Sequence, residues 1–418
     1  MSILNHPLIV TLRNLKGNAR SVVFTEPLWG IPYFLYAPYV SLYMLSLGVK
    51  DNQIGLITSI GLIFQVIFAL FSGAITDKLG RKRTTFIFDL LSWSVSCVIW
   101  AVAQNFTYFV LAVIINALWR VPSTSWSFLL VEDTPQEQLV HIFSWIYISG
   151  LLVAFFSPIA GLFIDKFSLV PTMRGLYIFA FVVMSAKFII LYRFSYETTQ
   201  GKVRMQETQG QPLLSLLGGY REVFRQILKT PKTLVALGVW LVMMITMMIT
   251  STFWSIIVTE RLHIPTQHIA IYPFAKSILQ LFFYFFVMPR IGNLPFRKPM
   301  LVGFSGFILS HLLLIVIPEK NYVLLLLSVL IDAVSSIMVN PFLDPLIVRS
   351  VDAQERARIM AILAVIVLSL TSPFGWIAGQ LSLVDRTFPF ILNIVMFVVG
   401  GGLVLLAYQL LSTSEPQS

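Results

Sequence analysis

Residues 53–104 read QIGLITSIGLIFQVIFALFSGAITDKLGRKRTTFIFDLLSWSVSCVIWAVAQ. Two continuously apolar runs, 53–76 and 84–104, flank a short basic loop. Each run is long enough to cross a bilayer as a helix, which takes about 20 residues. Apolar and polar residues do not alternate along them, so a transmembrane β-barrel is excluded. The loop carries Lys78, Arg81, Lys82 and Arg83. Short loops rich in Lys and Arg stay on the cytoplasmic side. The stretch therefore predicts two membrane-crossing helices joined inside the cell.

The same reading extends to the whole chain. Ten further runs lie at roughly 21–46, 107–131, 138–164, 169–192, 232–259, 267–289, 299–317, 322–348, 357–382 and 388–411. They give twelve expected spans, numbered here in chain order. The chain has 418 residues, 57% of them hydrophobic and 11% charged. Ordinary soluble domains are about 25% charged. A soluble enzyme, a disordered chain and a disulfide scaffold are therefore excluded. Cys97, the one cysteine, lies in an apolar run and has no partner for an internal disulfide.

With both termini inside, 20 Lys and Arg residues fall in inner segments, five in outer loops and four within spans. This asymmetry sets the orientation. It also accounts for the net charge of +10 without a nucleic-acid partner. The longest polar stretch, 193–231, separates two sets of six spans. The expected organisation is a bundle at 1–192, a cytoplasmic linker at 193–231 and a second bundle at 232–418. Leu213–Lys229 mixes apolar and basic residues as an interfacial helix does, and Leu8–Lys16 is similar. Gln136-Glu137 recurs as Gln354-Glu355, and Ile159-Ala160-Gly161 as Ile377-Ala378-Gly379, at one shared offset of 218 residues. This points to a duplicated six-span unit, a common transporter design.

The loop between spans 2 and 3 reads Gly73-Ala-Ile-Thr-Asp77-Lys78-Leu-Gly80-Arg81-Lys82-Arg83. It resembles the signature loop G-x-L-x-D-R-x-G-R-K-R of the major facilitator superfamily, with Ile75 and Lys78 as conservative departures. With twelve spans in a six-plus-six arrangement, the resemblance covers essentially the whole chain. It implies an all-α polytopic fold with two pseudo-symmetric six-helix bundles. Physically, Gly73 and Gly80 permit close packing and a sharp turn. Asp77 can accept hydrogen bonds from a helix N-terminus, which the resemblance makes the start of span 11. Arg81 can pair with Asp77 and with the acids closing span 4, Glu132 and Asp133. In the family such a cluster latches the cytoplasmic side shut. The equivalent after span 8 has Asn293 in place of the acid, so a second latch should be weaker. In span 5, Ser157-Pro158-Ile-Ala-Gly161 partly resembles the antiporter motif G-P-x-x-G-G of the family's drug exporters. Pro158 should kink the helix, and Gly161 should admit a neighbour.

Ionisable groups within spans are functional candidates. Arg120 lies 11 residues from the inner end of span 4, about 16 Å deep at 1.5 Å per residue. Its position resembles the family's second motif, whose arginine contacts the coupling machinery. Glu26 in span 1 and Asp89 in span 3 sit one to two turns inside the inner face. Lys276 in span 8 and Asp332 in span 10 are both near mid-depth, about 14–15 Å in. A Lys276–Asp332 pair is the natural neutral arrangement. Lys187 and Arg174 sit near the ends of span 6, where they can snorkel. A Glu26–Arg120 contact is a further candidate. The five histidines do not cluster, and no metal site or cofactor is expected.

Span 7 carries Trp240, Met243, Met244, Met247, Met248 and Trp254. They suit helix packing or an adaptable apolar cavity wall, which Trp29, Tyr33 and Tyr36 of span 1 would face. No phosphate-cradling loop is present, so the energy source is expected to be an ion gradient rather than ATP. The expectation is a non-enzymatic secondary transporter in a bacterial inner membrane. It acts as a monomer and exports a small amphipathic molecule in exchange for protons. A nutrient or organic-anion porter, a lipid translocator and a transport-dead sensor are the alternatives.

Overall fold

A computed structural model of the protein describes residues 7–213, 227, 229–287, 295–351 and 356–412. Among the described residues there are helices and turns and no strands. Among the described residues, eleven helices are long and apolar enough to cross a membrane, from Asp51–Leu79 to Phe388–Leu410. They correspond to expected spans 2 to 12. The expected first span is helical as well, over Gly17–Tyr36 and Val40–Ser46 with the 3₁₀ turn Ala37–Tyr39 between them. Its tyrosines and its prolines at 27, 32 and 38 leave it less apolar than the other eleven.

Several spans change pitch, and the sequence supplies the reason. A proline removes one N–H and crowds the carbonyl four residues earlier. Pro158 follows the 3₁₀ turn Ala154–Phe156, and Pro122 follows Ala117–Trp119. Leu118 and Ala154 are the carbonyls those two prolines would crowd. At Pro158, where a kink is expected, the helix tightens into a 3₁₀ turn just before the proline. Span 3 instead widens into a π segment, Leu90–Val95, directly after Asp89.

The chain divides into two units. One holds Met1–Gly48 and Ile63–Gly218, the other Val49–Leu62 and Gly219–Ser418. The division falls within span 2. In the first unit, spans 1 and 5 approach closely: a Cβ on Gly30 would sit 2.8 Å from Val153 Cγ2. Tyr39, Tyr43, Phe109 and Tyr177 are fully buried there. The helix Pro7–Asn14 sets Leu12 against a small core of Leu15, Val22, Leu130, Ile142 and Leu191. The expected interfacial helix at Leu213–Lys229 lies almost wholly outside the described residues. So do Asn293 and the Gln354-Glu355 repeat.

In the second unit, spans 7, 9, 10, 11 and 12 share one apolar core, including Val239, Phe304, Ile347, Leu363 and Phe397. The first half of span 2 belongs to this unit and lies against span 11. A Cβ on Gly55 would collide with the carbonyl oxygen of Gly375, and one on Gly379 would sit 2.9 Å from the Asp51 carbonyl. Ser59 donates to the Ser372 carbonyl at 2.5 Å and accepts from the Trp376 N–H at 2.7 Å.

Candidate functional site

The signature loop is built around a buried guanidinium. Gly80 turns the chain at φ 83°, ψ 162° and hands it to span 3. Glycine is needed here because other residues scarcely reach that region. Arg81, 2% exposed, then points its side chain back under the turn. It binds Asp77 at 3.0 Å and Glu132 with both Nε and Nη2, at 3.0–3.2 Å. The two-pronged contact with Glu132 is the strong, geometrically specific form of the Arg–carboxylate pair. Lys82 stands over the Tyr192 ring at 4.5 Å, and Arg83 is exposed. Gly73, expected to allow close packing, has nothing within 4 Å of where a Cβ would be.

Two members of this cluster escaped the sequence reading. Glu197, just after span 6, accepts the N–H groups of Arg81 and Lys82 at 2.8 and 3.1 Å. It therefore caps the positive end of span 3. Thr198 donates to Glu132 at 2.5 Å while accepting from the Gly201 N–H. Asp133 accepts instead from the Thr199 N–H at 3.3 Å. A Thr-Thr pair opening the helix Thr199–Glu207 is an N-cap signal. That signal does not say what else the first threonine touches.

Glu26 does not meet Arg120. It pairs with Lys187 at 3.6 Å, and Lys187 is 3% exposed. The expectation that Lys187 snorkels is thus corrected. Its ammonium turns inward because Glu26 lies on the facing side of span 1, and Asp89, 7% exposed, adds a second carboxylate in electrostatic reach. One lysine serves two acids inside the first unit. Arg120 has neutral neighbours: its Nε donates to Gln65 at 3.0 Å, and its guanidinium lies 4.1 Å from the Trp119 ring centre. In span 5, Ser157 and Gly161 are buried and Pro158 is half-buried.

In the second unit, Lys276 donates to Asp332 at 2.5 Å, joining spans 8 and 10 at the depth the sequence assigns both. Lys276 keeps 32% and Asp332 17% of side-chain exposure. The pair is thus reachable rather than sealed. Trp240, Met243 and Met244 pack against the shared core, Met248 is buried, and Met247 is 69% exposed. Trp254 meets Tyr272 edge to face. In the first unit Trp29 stacks on Tyr33 at 4.8 Å, and both meet Trp93 edge-on. Tyr36 is buried against Tyr177 and Trp100. Helix packing therefore claims Tyr36, Met244 and Met248.

A polar cavity of about 490 Å³ also lies within the second unit, lined by Asp51, Glu260, Arg261, His263, Glu319 and Arg386 among others. Arg386 bridges Asp51 and Glu260 at 3.3 Å each, and Ser382 donates to Asp51 at 2.7 Å. Asp385 nearby is held below the usual carboxylate range by the N–H and hydroxyl of Thr387.

A family model described as Major Facilitator Superfamily matches residues 28–376. The quinolone resistance protein NorA of Staphylococcus aureus is 32% identical over 84 residues, 20% of this chain and 21% of that protein. The multidrug resistance protein MdtG of Yersinia enterocolitica is 28% identical over 222 residues, 51% of this chain and 49% of its own. The chain thus aligns with about a fifth and about half of the lengths of these relatives. The crystal structure of the nucleoside transporter NupG superposes with a TM-score of 0.67 at 14% identity, over 96% of this chain and all of that one.

Proposed function

Because the chain belongs to the Major Facilitator Superfamily, we propose that it is a secondary transporter that works by alternating access and exports a small amphipathic compound in exchange for protons. The observation that carries this reading is the Lys276–Asp332 pair, 2.5 Å apart within two membrane helices. Ionisable groups at such depth are costly unless paired. Protonating Asp332 removes the partner charge and releases the ammonium of Lys276. A proton then changes which contacts the two spans make, as coupling requires. The resistance-protein names of NorA and MdtG favour export of a drug-like compound. On this reading the two six-span halves rock about a midplane site, and Arg81, Asp77 and Glu132 hold the cytoplasmic latch.

One observation favours a second reading. Arg120 sets its guanidinium beside a neutral amide and an indole. Together with Lys276, it would suit an organic anion as cargo. A thermal-shift screen of purified protein separates the two, since a ligand at 100 times its Kd adds about 2.7 kcal/mol of stability. Lipophilic cations should raise the unfolding temperature; a shift with organic anions alone selects the second reading. For the coupling step, Asp332→Asn in proteoliposomes should keep binding and lose transport driven by a pH gradient. Unchanged gradient-driven transport in that variant would remove Asp332 from the mechanism.

A further inference from the structure

His311, in span 9, is 3% exposed. Its Nδ1 lies 3.0 Å from the Phe307 carbonyl oxygen, which can only accept. Nδ1 therefore carries a hydrogen in either charge state. In the neutral ring Nε2 is then the acceptor. It faces the Asn393 side-chain nitrogen of span 12 at 3.2 Å and the Thr250 hydroxyl of span 7 at 3.5 Å. Asn393 is fully buried, and its nitrogen also reaches Thr250 Oγ1 at 3.0 Å and the Thr246 carbonyl at 3.4 Å. The amide oxygen of Asn393, by contrast, is buried with no partner.

A buried amide with an overloaded nitrogen and an idle oxygen is an asymmetric switch. The present orientation satisfies a neutral imidazole. A proton on Nε2 would set two donors face to face. Turning the Asn393 amide by half a turn answers this, because the idle oxygen then accepts the Nε2–H. The bond so formed is charge-assisted, about twice as strong as one neutral bond, and is set against the Thr246 and Thr250 contacts given up. Phe390 and Phe397 border the ring, with centroids 5.7 and 5.1 Å away.

We propose that His311 is a proton-binding site whose occupancy is read by reorientation of the Asn393 amide, and that its charge state is linked to that of Asp332. The charged groups facing it are Asp332 from span 10 and Lys276 from span 8. Span 7 presents Thr246 and Thr250, and span 12 presents Asn393, Phe390 and Phe397. An ionised carboxylate attracts an imidazolium and a free ammonium repels it, so the state of the ion pair is felt at the ring. The amide then turns that charge into a change of contact between spans 7, 9 and 12. The link to transport rests on the reading of Asp332 as the coupling residue; proton binding and the amide switch do not.

The test uses the full chain with ¹⁵N-labelled histidine in nanodiscs, titrated from about pH 5 to 9, with His311→Gln to assign the signal. The proton is the probe, and no substrate is needed. At high pH the resonances should report Nδ1–H and bare Nε2, and Nε2 should gain its proton within the range. Asn393→Leu removes the acceptor and should weaken proton binding at least about tenfold, one pH unit in midpoint. Asn393→Asp, nearly the same shape, should strengthen it by about as much, which keeps the test decisive if the leucine variant does not fold. Asp332→Asn should also move the midpoint. A bare Nε2 throughout the range, or one midpoint shared by wild type and the Asn393 variants, overturns the proton site. An unmoved midpoint in Asp332→Asn overturns the link alone. Loss of gradient-driven transport is measured separately, so failure of the export reading leaves this titration standing.

Discussion

Removing the ammonium of Lys187 leaves Glu26 and Asp89 facing each other inside the first unit, at 4% exposure for the lysine side chain and 19% for that of Glu26. Breaking a buried pair from one side commonly costs about 3–5 kcal/mol, whereas replacing both partners is far milder. Lys187→Met should therefore lower the unfolding temperature of the detergent-purified protein by several degrees. Adding Glu26→Gln should restore at least half of the loss. A double variant as unstable as the single one would mean that Lys187 acts through packing. Gly80 makes a different demand. Its φ of 83° combines with a Cβ position only 2.5 Å from Glu197 Oε2 and 2.7 Å from Met205 Sδ. Gly80→Ala should thus cost about 1–3 kcal/mol of backbone strain alone. Gly73→Ala, inside the helix Asp51–Leu79 with open space for the added Cβ, should instead gain up to about 1 kcal/mol on the helix-propensity scale. Equal melting temperatures for the two variants would refute the assignment of the turn.

Span 3 begins with two N–H groups bound by Glu197, a residue 115 positions away from Lys82. Losing a helix cap costs about 0.5–2 kcal/mol. Glu197→Ala should lower stability by that amount and raise amide exchange at Arg81 and Lys82, while Glu197→Gln, which still accepts, should recover most of both. Exchange unchanged in the alanine variant would show the cap to be idle. This contact also shows where sequence reading stops. Apolar run lengths place the helices, and Pro158 marks the tightened turn in span 5, because both are local properties of the chain. Depth along a helix, at a fixed rise per residue, brings Lys276 level with Asp332. Rotation about the helix axis is not local. Local pattern therefore gives Glu26 and Lys187 separate fates, although the folded chain pairs them. Neutral partners leave still less trace: Gln65 beside Arg120, Thr198 beside Glu132 and Asn393 beside His311 are ordinary residues in apolar runs or polar turns. Only the folded packing selects them.

The distribution of charge over the chain makes one claim about the molecule as a whole. Twenty Lys and Arg residues fall on one set of inter-span segments and five on the other. Such a bias sets orientation when loops are short. Here the longest charged segment, between spans 6 and 7, lies on the rich side. The prediction is that both termini and the Gly80–Arg83 turn face the cytoplasm, while the Arg261–His263 and Arg386 segments face outward. Fluorescent-protein fusions, which mature only inside, should glow at the C-terminus and fail after Arg261. Alkaline phosphatase fusions, active only outside, should give the reverse pattern. The consequence reaches the proposed chemistry. If the Arg81–Glu132 cluster is inside, it lies on the side the proposed cytoplasmic latch requires, and the Asp51–Arg386–Glu260 bridges of the second unit lie on the outer side. An inverted fusion pattern would exchange these two roles and with them the direction in which a proton at Asp332 would drive the cargo.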